Sequence, residues 1–112
     1  MELAQEMIKG TIVPAVLKLL SERPRYGYEL IQIVNERTHN ALQWKEGTLY
    51  PCLHRLEGEG YLRGEWGEAD SGRQRKYYRI TRKGHTALTR NVQEWATIST
   101  AVNAILLAPS IA

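Results

Sequence analysis

Leu88, Val92, Trp95, Ser99, Val102 and Leu106 follow one another at steps of 4, 3, 4, 3 and 4 residues, an apolar seam held for nearly three heptads. Thr81 is a good N-cap for the helix that carries it. A helix with so apolar a side has to lie against another helix. In a chain of 112 residues, room remains for one core domain beside it and no second one. The cover therefore comes either from the chain's own domain or from a second copy of the chain. The second is the expectation here, because the preceding segments supply a core by themselves. Leu88, Val92, Trp95, Val102 and Leu106 would then form the dimer interface, within a C-terminal dimerisation helix over 82–108.

Three shorter helices precede it. Ile12, Val16, Leu19 and Leu20 predict a helix from about Thr11 to Ser21, with Thr11 as N-cap and Pro14 in the tolerated first turn. Pro24 then interrupts, and Leu30, Ile31 and Val34 mark a second helix near Tyr26 to Thr38, ended by Asn40. The segment Ala41 to Trp44 reads as extended. Leu49, Leu53 and Leu56 then put one greasy face on a helix from about Glu46 to Gly58, with Cys52 as a half-buried neighbour. Its other face carries Lys45, Thr48, Tyr50, His54 and Arg55. The first ten residues are amphipathic too, with Leu3, Met7 and Ile8 expected on one side, and offer a further dimer contact.

After Leu62 the pattern changes. Aromatic and β-branched residues alternate with charged ones on either side of the turn cluster "EADSG", which reads as a β-hairpin. Tyr78 and Ile80 would share its inner face, and Arg75, Tyr77 and Arg79 would point outward. The charge is unevenly spread. Between Gly72 and Gln93 stand seven basic residues and no acid, whereas Glu57 to Asp70 holds five acids and one arginine. The net charge of +3 hides this strip, which can address an anionic partner.

Other classes of function find little footing. Cys52 is the single cysteine, so neither an internal disulfide nor a multi-cysteine metal site is available. His39, His54 and His85 are too scattered to form a metal pair, and no metal or cofactor is expected. The chain shows no paired-carboxylate motif, nucleophile elbow or phosphate-cradling glycine loop, so no enzyme is expected. No apolar run is long enough for a membrane span, and the first residues do not resemble a secretory signal. A cytoplasmic location is expected.

Helix, helix, helix and basic hairpin is the order of a winged helix-turn-helix, whose third helix enters the major groove while the hairpin follows the backbone. The expected fold is mainly α with a small β-hairpin: a winged helix-turn-helix domain over 11–81, preceded by an N-terminal segment over 1–10. A winged fold that binds a small molecule or a protein without DNA is the alternative. Four stretches carry a further resemblance: "GYEL" at 27–30, "EGTLYPCLHRLEGEGYL" at 46–62, "GRQRKYYRIT" at 72–81 and "KGHTAL" after it. In this order they resemble the PadR-type bacterial transcriptional regulators, in the smaller branch with a single C-terminal helix. The resemblance implies a dimeric repressor that binds a pseudo-palindromic DNA operator and is released by a small effector.

Carried onto this chain, the resemblance makes Thr48, Tyr50, Pro51 and Arg55 DNA-facing and Arg73, Arg75 and Lys76 wing contacts. Lys45 and His54 join them on physical grounds, since polar and basic groups at a helix N-terminus suit an anionic surface. Tyr50 lies one residue off the greasy seam and is expected to touch DNA rather than pack. For Arg55, an ion pair with Glu59 one turn on is the competing use. Trp95 resembles the interface tryptophan with which some small PadR members stack flat aromatic compounds, and Ser99 and Val92 would leave room beside it. Trp44 and Trp66 are expected to serve core and hairpin packing.

Overall fold

The computed structural model describes residues 3–110; the first two residues of the expected N-terminal segment lie outside it. The elements are α1 (Gln5–Lys9), α2 (Ile12–Glu22), β1 (Arg25–Tyr26), α3 (Gly27–Arg37), α4 (Glu46–Gly58), β2 (Leu62–Glu68), β3 (Gln74–Ile80) and α5 (Arg82–Leu106). The three strands form one antiparallel sheet in the order β1-β3-β2. This is a winged helix fold with a long C-terminal helix, as the periodicities predict.

Each helix buries the face its sequence marks. Val16, Leu17 and Leu20 of α2, Leu30 and Val34 of α3, and Leu49, Leu53 and Leu56 of α4 converge on one core, closed by Leu62 and Tyr78 of the sheet. Trp44 is buried there too, and its backbone N–H donates to Asn35 Oδ1 at 2.8 Å. That contact fixes the loop between α3 and α4. The loop is compact rather than extended, with His39, Asn40 and Gln43 at left-handed φ. Cys52 is buried, and burial raises its thiol pKa, so it serves as a small core hydrophobe.

Several local expectations are corrected. Thr11 does not cap α2: its hydroxyl donates backward to the Ile8 carbonyl at 2.6 Å. Met7 and Ile8 part company, Ile8 buried and Met7 in solvent, because adjacent residues on a helix point about a quarter turn apart. Leu88 packs into the domain's own core and is withdrawn from the expected dimer seam. Trp66 packs against nothing that covers it and is 71% exposed.

Thr81, by contrast, caps α5 as expected, accepting from the Gly84 N–H at 3.1 Å. Its own N–H donates to the Tyr61 carbonyl at 3.1 Å. A side chain at Gly84 would collide with that carbonyl, so glycine lets the first turn of α5 seat on the α4–β2 corner. Beyond Asn91 the helix leaves the domain, and every residue from Val92 to Leu106 except Ser99 is exposed. The molecule is accordingly 64 Å long and 21 Å thick.

Candidate functional site

Helix α4 stands as a ridge between two grooves. On one side Glu46, Tyr50 and His54 face the hairpin across a groove of about 630 Å³, closed by Tyr26, Tyr28, Trp66, Arg73, Arg75 and Tyr78. On the other side Thr48, Pro51, Cys52 and Arg55 face α1 and α2 across a groove of about 570 Å³. Pro51, His54 and Gly47 lie exposed along the crest. Pro51 has no N–H to give, so the Gly47 carbonyl loses its ordinary i+4 partner at the middle of this surface.

The candidate residues therefore fall on two flanks of one helix. Lys45 stands exposed at the N-cap of α4. Arg55 is exposed and, among the described residues, has no carboxylate within 4 Å; the pair with Glu59 does not form. Lys45 and Arg73 are likewise without an ion pair among the described residues. Among the described residues, three cations without an ion pair surround the ridge.

Tyr50 is placed otherwise than its distance from the seam suggests. Its ring packs over the start of α3, and a Cβ on Gly27 would come within 2.7 Å of it. The side chain is half buried and its phenol is held above the ordinary range by that burial and by Glu46. It is a packing aromatic with its edge in the groove.

The hairpin explains the rest by alternation. Trp66 stands opposite Lys76, Gly64 opposite Tyr78 and Leu62 opposite Ile80, so all six share the inner face. Near the base α4 and α5 cover this face; Trp66 lies past the end of that cover. Arg75 takes the outer face, its guanidinium 4.3 Å above the Tyr26 ring, against which Tyr77 also sits edge-on at 5.6 Å. Lys76 is turned toward α4, where its ammonium meets Glu57 at 2.8 Å. Arg73, in the turn held by Gly72 at φ +82°, lines the groove without an ion pair among the described residues.

Sequence reasoning passed over Tyr28 and Trp66, two exposed aromatics on the wall of the same groove. The alternation that put Tyr78 inward also put Trp66 and Lys76 inward, and that signal was available. It also passed over Arg25, which is 5% exposed and donates to the Leu19 carbonyl at 3.1 Å and to Glu22 at 2.9 Å. Glu22 also receives Arg37, and these arginines hold its carboxyl below the usual range. This cluster locks α2 to α3 on the side away from the ridge.

Among the described residues no group of three His, Cys, Asp or Glu is close enough to hold a metal ion, and no helix is long and apolar enough to cross a membrane. The arrangement offers hydrogen bonds, aromatic faces and unpaired cations to a large anionic partner.

Comparison with known proteins gives the same picture. The family model described as "Transcriptional regulator PadR-like family" matches residues 16–90. A transcriptional regulator from Clostridium thermocellum superposes with a TM-score of 0.84 at 32% identity, covering 91% of this chain and 99% of that one. A PadR-like transcriptional regulator from Bacillus cereus superposes at 0.82 with 36% identity, covering 95% and 100%. A protein from Lysinibacillus sphaericus is 41% identical over 93 residues, 83% of this chain and 85% of its own length.

Proposed function

The chain belongs to the PadR-like family of transcriptional regulators, and on that premise we propose that it acts as a homodimeric repressor that grips a pseudo-palindromic DNA operator and releases it when a small aromatic effector binds. Family and relatives are regulators and not enzymes. The observation that carries the reading is the α4 ridge, with Lys45, Arg55 and Arg73 left unpaired around it.

In this reading α4 enters the major groove with Thr48, Pro51, His54 and Arg55 toward the bases and Lys45 toward a phosphate, while Tyr50 packs on Gly27 and shapes the groove wall. Arg73 and Arg75 follow the flanking backbone from the wing, and Tyr28 and Trp66 add aromatic edges to the same surface. Lys76, paired with Glu57, is left out of this set. Two copies join through Val92, Trp95, Val102 and Leu106, with Ile98 widening the stripe, since these side chains are exposed on one side of α5. Ser99, half buried with its hydroxyl turned back to the Ala96 carbonyl at 3.3 Å, is small enough to leave room beside Trp95 across a two-fold axis. Two such indoles across a two-fold axis would sandwich a flat aromatic effector lined by Val92 and Ser99. If effector and DNA favour different spacings of the two wings, each weakens the other by the same factor.

Anisotropy of a fluorescein-labelled random duplex at low salt tests the DNA contact: binding that weakens steeply with added salt is expected. Absence of binding there would overturn it. Quenching of Trp95 by planar aromatic cations, lost in Trp95→Ala, tests the effector site; unchanged affinity in that variant places the site elsewhere.

A further inference from the structure

Glu57 occupies the last turn of α4 and touches both strands of the wing. Its Oε1 accepts from the Lys76 ammonium on β3 at 2.8 Å, and its Oε2 accepts from the Gly64 N–H on β2 at 3.0 Å. Gly64 is glycine for a local reason: a Cβ there would collide with both the Lys76 stem and the Glu57 carboxylate. The Lys76 ammonium also lies 5.3 Å above the Tyr78 ring, itself part of the core. Both partners are about 70% covered, with side chains 28% and 30% exposed, so solvent screens this pair less than an open surface pair. Consistent with that, the Glu57 carboxyl is held below its ordinary range by Lys76, and the Lys76 ammonium is held above its own by Glu57.

Among the described residues, these two are the only side-chain hydrogen bonds that tie the hairpin to the helices. Among the described residues, the outer half of the wing, from Trp66 to Gln74, makes no side-chain hydrogen bond to α3 or α4. One carboxylate therefore adds the polar tie between the wing and the α4 ridge to the packing of Leu62 and Tyr78 and the β1–β3 pairing. It also gives Lys76 an internal partner, although the sequence places that lysine in the basic strip.

We infer that Glu57 is a positioning residue: by holding Gly64 and Lys76 it fixes the wing at one distance from α4 and keeps a cation off the DNA, which favours the correct site over any duplex. The inference rests on the DNA-binding reading. Specificity comes from base contacts and wing contacts being made together, whereas loose cations add affinity for every sequence alike. Freeing Lys76 adds one such cation and unfastens the wing at once.

The test uses the full-length protein, a duplex selected from a random library by the wild type, and a scrambled duplex of the same composition. Glu57→Gln keeps an acceptor for Gly64 and loses the charge that holds Lys76. Its log affinity for the scrambled duplex is expected to fall more steeply with log salt, by about 0.9 for one added phosphate contact, and its selected-to-scrambled ratio to drop severalfold. Lys76→Met is expected to leave the wild-type salt slope unchanged. A Lys76→Met slope shallower by about 0.9 would make Lys76 a phosphate contact and overturn the inference, as would a Glu57→Gln protein identical to wild type in slope and ratio. A wild type that retards neither duplex overturns the DNA-binding reading, and this inference with it. Amide exchange without DNA gives a second readout. Glu57→Ala should speed exchange across Leu62–Glu68 while α2 stays protected, and unchanged exchange in the wing overturns the clamp.

Discussion

Leu53 on α4 and Trp95 on α5 are both large apolar residues at seam positions of a helix, yet Leu53 is completely sealed and Trp95 is 55% exposed. The contrast extends to their neighbours. Val16, Leu17, Leu30 and Leu49 are covered by side chains of the same chain, while Val92, Ile98, Val102, Ile105 and Leu106 meet solvent. A soluble helix gains most of its stability from the face it buries. The core of the winged domain is therefore covered within one copy of the chain, and the outer part of α5 is exposed there. The first region should respond to mutation as a fold does, independently of concentration; the second should respond as an association does.

The largest effect belongs to the core. Leu53→Ala removes a fully covered side chain at the junction of three helices and should cost about 2–5 kcal/mol. Urea unfolding followed by far-ultraviolet circular dichroism would show the same midpoint shift in dilute and concentrated protein. A shift that shrinks on concentrating the protein would place Leu53 in the interface and break the comparison. Trp95→Asp comes next, putting a charge mid-seam. It should weaken self-association by about 2–4 kcal/mol, as loss of an interface hot spot does, read by sedimentation equilibrium. The environment of the buried Trp44 should stay as in wild type. If Trp44 emission shifts as well, the two regions are not separable.

The periodic segments were legible because burial of one face imposes its period on the sequence. The approximate bounds of α4 were readable, since Leu49, Leu53 and Leu56 mark its buried face and Gly58 and Gly60 its end. Tyr78 was placed inward by strand alternation. What failed was whatever depends on residues distant in the chain. Lys76 is turned by Glu57, 19 positions away; Trp66 is open because a groove separates it from Glu46, Tyr50 and His54 of α4. Tyr50 packs because Gly27 offers a bare backbone against which its ring can lie. Leu88 matches the seam's spacing but is still inside the domain when α5 passes it. Strand β1 has two residues and no pattern to read, and the buried Arg25 on it announces itself only through Glu22 and the Leu19 carbonyl. For the candidate site, the sequence identified the helix and the wing, and folding decided which of their cations remain free.

Gly27→Ala tests how tightly the site is tied to the core. The new methyl has to displace the Tyr50 ring, an overpacking that should cost about 1–3 kcal/mol. Because that ring also forms the groove wall, sequence discrimination should fall along with the melting temperature. A variant with normal stability and normal discrimination would mean that Tyr50 moves aside freely. Arg73→Ala acts on neither region's packing. It should leave stability and dimerisation untouched and reduce the salt slope of duplex binding by about 0.9; no change in slope would remove Arg73 from the interface.

Acid should separate the two regions last and most gently. Glu22, beside Arg37 and Arg25, and Glu57, beside Lys76, have carboxyls held below their ordinary range in the fold. As pH falls, the unfolded chain takes up protons at these groups before the folded chain does. Their contribution is thus complete above the ordinary carboxylate range and is lost as pH drops through the depressed values. Lys76 works in the opposite sense, its raised value meaning that its share fades only on the alkaline side. The outer part of α5 has no comparable group: Glu94 is its sole ionisable side chain between Asn91 and Ser110, paired loosely with Arg90 at 3.6 Å. The melting temperature should therefore decline between pH 5 and pH 3, roughly the window in which carboxylates protonate, while self-association measured in the still-folded protein barely changes. Association that weakens in step with the melting temperature would show that the α5 seam depends on the charge clusters of the domain, and the division between the two regions would have to be redrawn around Glu22 and Glu57.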